Sequence, residues 1–193
     1  MIKTIKRLIS IMLLFSIICS GNVLASEENY KHITTEDLKV VSEKEVPAGV
    51  KPMSFKSDEE AIVYLNKMYD SMQVESNSAT INLLARKTNG NVTVATQKTN
   101  YLTNAKILLK LRYTTSGNSN TGRIEKLEPY TQFTGFTYGF EWKENNIGTT
   151  ISSSGKDVHV YVDGTLSSYL LINGLIKLST RDINLSGNVA VIR

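Results

Sequence analysis

Apolar and polar residues alternate with a period of two along much of the second half of the chain. In residues 101–113 the odd positions are largely apolar, as at Leu109 and Leu111. The even positions between them carry charges, as at Lys110 and Arg112. This alternation is typical of a strand with one face buried and the other in water, so the segment is predicted to be a β-strand.

Similar patterns predict further strands toward the C-terminus. They lie at 123–128, 133–143, 147–153 and 183–193. With the runs that flank the turns described next, they make about eight or nine strands, which pack most economically as an antiparallel β-sandwich or a small open barrel. The pattern alone does not choose between these two architectures.

Three dipeptides predict tight hairpins in this β-rich region: Asn89-Gly90, Asp163-Gly164 and Asn173-Gly174. Asn-Gly and Asp-Gly favour two-residue turns because both positions accept a positive φ. The segments that these turns are expected to join are 79–86 with 91–98, 156–162 with 165–172, and 165–172 with 175–180. The last two turns therefore predict a meander of three successive strands.

A longer periodicity precedes the strands. Ser57 begins a capping box, in which its hydroxyl is expected to accept from the amide of Glu60 while the Glu60 carboxylate accepts from the amide of Ser57. Apolar residues then recur every three or four positions, at Ala61, Ile62, Leu65, Met68, Tyr69 and Met72. This spacing predicts an amphipathic helix over 57–73 with one face packed against the rest of the domain.

Residues 1–25 have the layout of a secretory signal peptide. Basic residues precede an apolar run at 8–19, and Ala25 offers a small residue at the expected cleavage site. The apolar run is shorter than the ~20 residues that cross a bilayer, so a signal peptide is favoured over a permanent membrane span. We therefore expect a secreted protein.

Cys19, the single cysteine, lies inside this leader. Bulky Ile18 disfavours lipoprotein anchoring there, because such signals place a small residue before the cysteine. The mature chain would then contain no disulfide. It is expected to comprise a polar flexible arm at 26–56, the helix at 57–73 and an antiparallel β domain at 79–193.

Charge is distributed unevenly along the chain. The leader holds three of the 22 basic residues and none of the 18 acidic ones, so the remainder is nearly neutral and does not indicate a nucleic-acid partner. Residues 26–75 contain 6 basic and 11 acidic groups, whereas residues 76–193 contain 13 and 7. The two portions are expected to attract each other.

Four aromatic residues mark a possible binding surface: Phe136, Tyr138, Phe140 and Trp142 take alternate positions in the predicted strand 133–143 and are expected to share one face. The face could be the core side of a central strand, which we favour, or an exposed platform for sugars or a membrane interface. Trp142 and Tyr138 are kept as candidate ligand-binding residues.

His159 and Tyr161 are two further candidates. Val158, Val160 and Val162 should point inward, which places His159, Tyr161 and Asp163 on the solvent face. Such a histidine could serve as a base or a ligand. We predict no catalytic residues, no metal site and no cofactor, because no nucleophile, metal or nucleotide motif has independent support.

The leader and the lysine- and asparagine-rich, cysteine-free body look like small exported bacterial proteins of the Gram-positive type. The leading hypothesis is a secreted, non-enzymatic binding module whose partner is a cell-wall or host-surface glycan or protein. A second hypothesis makes residues 26–75 an acidic pro-region that masks a basic β domain with antimicrobial or toxin-like activity. A third is a glycan hydrolase that uses paired carboxylates.

Overall fold

The computed structural model describes residues 32–83, 88–99, 104–116 and 122–192. The predicted signal peptide with Cys19, and residues 26–31 of the predicted arm, lie outside these ranges. An α-helix, α1, spans Asp58–Asp70. The ten strands are β1 Lys39–Val41, β2 Met53–Phe55, β3 Met72–Ser76, β4 Ala79–Asn82, β5 Thr88–Thr99, β6 Lys106–Ser116, β7 Arg123–Thr134, β8 Phe140–Ile151, β9 Asp157–Ile172 and β10 Leu175–Ile192.

The described strands form two sheets and do not close into a barrel, which confirms the predicted mainly β fold and, of the two architectures left open, is consistent with the β-sandwich. In sheet A, β8, β9 and β10 are successive antiparallel neighbours, and the short strands β1, β2 and β4 add to β9 or β10. Sheet B has the order β3-β5-β6-β7. The meander predicted after residue 156 is wrong, because its first two segments are one continuous strand, β9; the antiparallel neighbours β8, β9 and β10 form a different three-stranded meander.

The core lies between the inner faces of the two sheets. Leu109 and Leu111 from β6 are fully buried together with Val160 from β9 and Leu185 from β10. Gly187 in β10 brings the sheets close, because a Cβ there would lie only 2.8 Å from Val94 Cγ1 and 3.0 Å from the Val94 carbonyl oxygen. Each buried aliphatic side chain contributes about 1.5–3 kcal/mol.

Helix α1 packs against sheet A, where Tyr69 contacts β9 and β10. Its buried face consists of Ala61, Leu65, Met68 and Tyr69. The Tyr69 hydroxyl lies 3.0 Å from Ser168 Oγ in β9. At the start of the helix, Ser57 Oγ accepts from the Glu60 amide at 3.3 Å, as predicted. The second half of the predicted capping box is wrong by one residue, because Glu60 Oε2 accepts from the Lys56 amide instead.

The hairpin prediction is right for one dipeptide and wrong for two. Asn173-Gly174 turns between β9 and β10 with φ of 50° and 78°. Asn89-Gly90 instead lies inside β5, and Asp163-Gly164 lies inside β9. These two glycines are covered by the rings of Tyr113 and Trp142, which occupy the space that a side chain would need. An aromatic ring from the neighbouring strand thus fills the space of the missing side chain, which compensates for the low strand propensity of each glycine.

The predicted strand 133–143 is also wrong. β7 ends at Thr134 and β8 begins at Phe140, so residues 135–139 form the connection between the two sheets. Gly135 and Gly139 have φ of 89° and 77°, a backbone conformation that L-residues with side chains rarely adopt. The four aromatic residues therefore do not share one strand face.

The described part of the predicted arm, residues 32–56, contributes two strands to sheet A. β1 pairs antiparallel with β10, and β2 pairs parallel with β9. Leu38 and Met53 from this segment join the buried core. The strands are only three residues long, which explains why no apolar period is visible in the sequence.

Candidate functional site

The outer face of sheet A gathers polar and aromatic side chains from its three long strands. In β9 the valines 158, 160 and 162 are fully buried, so His159, Tyr161 and Asp163 point outward, as the alternation predicts. We call this surface the polar face. It is defined by Asn145 and Asn146 in β8, His159, Tyr161, Asp163 and Thr165 in β9, and Asp182, Asn184 and Asn188 in β10.

His159 and Tyr161 form a stacked pair on the polar face. Their ring centroids are 6.2 Å apart and their planes are inclined by 24°. The imidazole Nδ1 lies 3.0 Å from the Asn188 side-chain oxygen, directly across the strand pair. Asn188 thereby fixes the orientation of an otherwise exposed imidazole.

Gly148 in β8 is the reason why the Tyr161 ring can lie flat across the neighbouring strand. The two residues are direct cross-strand partners. A Cβ at Gly148 would come within 2.6 Å of the Tyr161 phenol oxygen. The glycine therefore leaves room for the ring, and together His159 and Tyr161 present an extended aromatic surface.

Amide and carboxylate groups continue the polar face beyond the aromatic pair. Asp163 Oδ2 accepts from Asn146 Nδ2 at 3.3 Å, and Asp163 Oδ1 lies 3.1 Å from the Asn184 amide nitrogen when that amide is oriented to donate. Asp182 Oδ1 accepts from the Thr165 hydroxyl at 3.0 Å. Such groups donate and accept in one plane, which is the chemistry that binds the hydroxyl groups of a sugar.

Tyr169 lies farther along the outer row of β9, past Tyr161 and Thr165, and is 5 % exposed. Its hydroxyl donates to Glu141 Oε2 at 3.1 Å. Burial, followed by this bond to a carboxylate, raises the pKa of Tyr169 to about 12. The phenol therefore keeps its proton at alkaline pH values at which an exposed tyrosine begins to ionise.

Trp142, the first of the predicted binding residues, points into the edge of the sandwich. Its Nε1 donates to Thr131 Oγ1 at 2.9 Å, and its ring packs over Gly164. The neighbouring Phe140 is buried at 4 % exposure. These two aromatic residues therefore belong to the packing of the domain, and Trp142 is separate from the polar face.

Tyr138 lies elsewhere again, in the connection 135–139, which we call the aromatic loop. It is 44 % exposed and Phe136 is 51 % exposed, with their ring centroids 5.9 Å apart. The Gly139 carbonyl accepts from the Tyr169 amide at 2.8 Å, which attaches the end of the loop to sheet A. Of the four predicted binding residues, the structure thus brings together only His159 and Tyr161.

The outer face of sheet B carries a basic surface that was not predicted from the sequence. Lys110 Nζ and Arg112 Cζ lie 5.9 Å and 5.3 Å from the ring centroid of Tyr130. The Tyr130 hydroxyl accepts from Asn91 Nδ2. The charged even positions of β6 were visible in the sequence, but the pairing with Tyr130 depends on the register between β6 and β7.

Comparison with protein-family models, with curated proteins and with solved structures gives no match. Within the described ranges, no helix combines the length and apolarity needed to cross a membrane. Across the same residues, no group of three or more His, Cys, Asp and Glu side chains is placed to hold a metal ion.

Proposed function

We propose that the protein is a secreted, non-enzymatic binding module that recognises a glycan at the cell envelope or in the extracellular medium. The observation that carries the proposal is the stacked pair His159 and Tyr161 beside a row of amides and carboxylates. An aromatic surface stacks on the apolar face of a sugar ring, while the planar polar groups bind its hydroxyls. The leader supports the proposed export.

The burial of helix α1 favours this proposal over an acidic pro-region that is cut away at residue 75. Leu65, Met68 and Tyr69 are at most 1 % exposed. Removing the helix would uncover the inner face of sheet A and leave the remaining chain with a large apolar surface. N-terminal sequencing of protein recovered from culture medium tests both the predicted signal-peptide cleavage after Ala25 and a second cleavage near residue 75. A start at Ser26 that does not change with time supports the binding module, and a start near residue 76 supports the pro-region.

The binding experiment uses a panel of purified cell-wall polysaccharides and soluble oligosaccharides, with affinity measured by isothermal titration calorimetry. We expect saturable binding by the wild type and a loss of affinity of about tenfold or more in Tyr161→Ala, because the stacking surface is removed. Tyr130→Ala is the matched control, since it removes a tyrosine from the outer face of the other sheet. Its affinity should equal that of the wild type.

A second variant tests the aromatic surface without deleting any functional group. Gly148→Ala places a methyl group against the Tyr161 phenol and should displace the ring, so affinity should fall while the fold persists. If Tyr130→Ala abolishes binding and the two polar-face variants do not, the ligand binds sheet B and the proposed site is wrong. Turnover of a glycan without saturable binding would support the hydrolase instead.

A further inference from the structure

The basic surface on the outer face of sheet B extends over three strands. In β6 the odd positions from Ile107 to Leu111 are buried, so the even positions point outward. Cross-strand partners share one face of a sheet. The pairings therefore place six basic residues on this surface: Lys98 in β5, Lys106, Lys110 and Arg112 in β6, and Arg123 and Lys126 in β7.

The acidic residues in the strands of sheet B offset only part of this charge. Glu75 is paired with Lys98, and Glu128 is paired with Lys126. The third, Glu125, is the extra residue where the register between β6 and β7 shifts. Even with all three carboxylates counted against the six cations, positive charge remains in excess. Charge complementarity therefore favours an anionic partner for this surface.

Tyr130 in β7 holds two of these cations in place. It is the cross-strand partner of Lys110, and its hydroxyl accepts from Asn91 Nδ2 in β5, so the ring lies across β6. Lys110 Nζ and Arg112 Cζ lie 5.9 Å and 5.3 Å from its ring centroid. Lys110 Nζ also donates to Gln132 Oε1 at 2.9 Å. Because these contacts already order two long side chains, less conformational entropy is lost when an anion binds them.

We propose that the basic surface binds a linear polymer of polyol units joined by phosphodiesters, lying along β6. The Arg112 side chain is 61 % exposed, and its guanidinium can donate two parallel hydrogen bonds to a phosphate, with the Lys110 ammonium as a second cation beside it. β6 has 11 residues, so its outward row is about 34 Å long. A repeating anion engages several cations of such a row at once, which a single small anion does not. The proposal is independent of the glycan site on the polar face.

The side chains of the basic surface disfavour two other anionic partners. Single-stranded nucleic acids stack their bases on exposed aromatic rings. Among the described residues at outward positions of sheet B, Tyr130 is the only aromatic one, and two cations already lie against its ring. Leu108 is half-buried there, so little apolar surface is available to insert into an anionic bilayer.

The test uses a synthetic glycerol phosphate oligomer long enough to span β6, with neutral polyglycerol of the same length for comparison. Affinity is measured by isothermal titration calorimetry at several sodium chloride concentrations. We expect saturable binding of the charged oligomer alone. Arg112→Gln and Lys110→Gln should each weaken it roughly 3- to 10-fold and lower the slope of log Kd against log salt by about 0.7–0.9. Lys156→Gln is the matched control, since it removes an exposed lysine from the turn between β8 and β9, and it should bind like the wild type.

Tyr130→Ala separates the ordering of the cations from their charge. It keeps every charged group, so the salt slope should equal that of the wild type while the affinity for the oligomer falls about 2- to 5-fold. Tyr161→Ala, which alters the polar face, should bind the oligomer like the wild type. The inference is overturned if the oligomer does not bind, if neutral polyglycerol binds as tightly, or if Lys156→Gln loses as much affinity as Arg112→Gln. Tighter binding of single-stranded DNA, or of vesicles of anionic phospholipid, than of the oligomer would also overturn it.

Discussion

Trp142 Nε1 donates to Thr131 Oγ1 at 2.9 Å, and this bond joins β8 of sheet A to β7 of sheet B. The Thr131 amide in turn donates to Glu144 Oε1 at 3.0 Å. Three residues from two strands therefore close one edge of the sandwich, just beyond the aromatic loop. Trp142, a candidate ligand-binding residue in the sequence, thus takes part in closing the sandwich.

Trp142→Phe should lower the free energy of unfolding by about 1–3 kcal/mol, because it removes the indole donor and part of the ring that covers Gly164. Urea denaturation measures the change. Tyr130→Phe is the control, since its exposed hydroxyl should contribute less than about 0.5 kcal/mol. Glycan affinity should be the same in Trp142→Phe as in the wild type. A variant with unchanged stability and weakened glycan binding would contradict this role.

Lys177→Met should destabilise the protein more than Lys98→Met. The Lys177 ammonium bridges both carboxylate oxygens of Asp58 at 2.6 and 2.7 Å, and the two side chains are 16 % and 26 % exposed. Lys98 and its partner Glu75 are 26 % and 52 % exposed. We expect a loss of about 1–2 kcal/mol for Lys177→Met and below about 1 kcal/mol for Lys98→Met, because solvent screens the more exposed pair.

Salt should weaken the two ion pairs to different extents. In 1 M sodium chloride the effect of Lys98→Met should nearly disappear, while most of the effect of Lys177→Met persists. Lys177 also anchors β10 to the first turn of helix α1, where the Asp58 carboxylate lies at the positive end of the helix dipole. Equal losses in the two variants at both salt concentrations would refute the importance of this contact.

Alkaline pH should destabilise the folded protein because the buried phenol of Tyr169 resists ionisation. The folded-state pKa is raised to about 12 from the ordinary value of 10.0, so the folded protein holds this proton more tightly than the unfolded chain does. The stabilisation is therefore complete below pH 10 and is lost as the pH rises from 10 toward 12. In thermal denaturation, the melting temperature of the wild type should fall more steeply over this range than that of Tyr169→Phe.

Tyr169→Phe is also expected to retain some alkaline sensitivity. Burial raises the pKa of Tyr69 as well, so that residue contributes to both proteins. The informative quantity is the difference between the two melting curves. Parallel curves between pH 10 and 12 would show that Tyr169 titrates normally in the folded state.

Gln97→Met should stabilise the protein by about 1 kcal/mol or more, since the buried Gln97 Nε2 has no hydrogen-bond partner among the described residues. Thr131→Val offers a comparison, because it removes a hydroxyl that is fully engaged with Trp142 and Glu144 and should be destabilising. Chemical denaturation shows whether each variant has a higher or lower free energy of unfolding than the wild type. A destabilised Gln97→Met would mean that the amide is satisfied in solution.

The three dipeptides predicted to form hairpin turns show which parts of the fold could be predicted from the sequence. Asn173-Gly174 forms a turn, but Gly90 and Gly164 lie within strands beneath the rings of Tyr113 and Trp142. All three signals look alike locally. What distinguishes them is an aromatic residue about 20 positions away that packs onto the glycine, and strand register decides that contact.

The same limit applies to the candidate site. Strict alternation in β9 correctly placed His159 and Tyr161 on the outer face, because a strand buried on one side fixes the direction of each side chain. It could not indicate that Asn188 holds the imidazole or that Gly148 makes room for the phenol, since both contacts cross to other strands. The surroundings of Trp142 were not predictable either, because the strand assumed to contain it, 133–143, is interrupted at residues 135–139 by Gly135 and Gly139 with positive φ.

The two parallel pairings of sheet A determine when this domain can complete its fold during synthesis. β2 pairs with the last residues of β9, and β4 pairs with residues 189–192 at the end of β10. Such distant partners slow folding, because long stretches of chain must be ordered before the contacts form. The strands β1, β2 and β4 thus lack their partner strands until β9 and β10 have been synthesised. Sheet B, whose four strands all lie within residues 72–134, can therefore form before sheet A is complete.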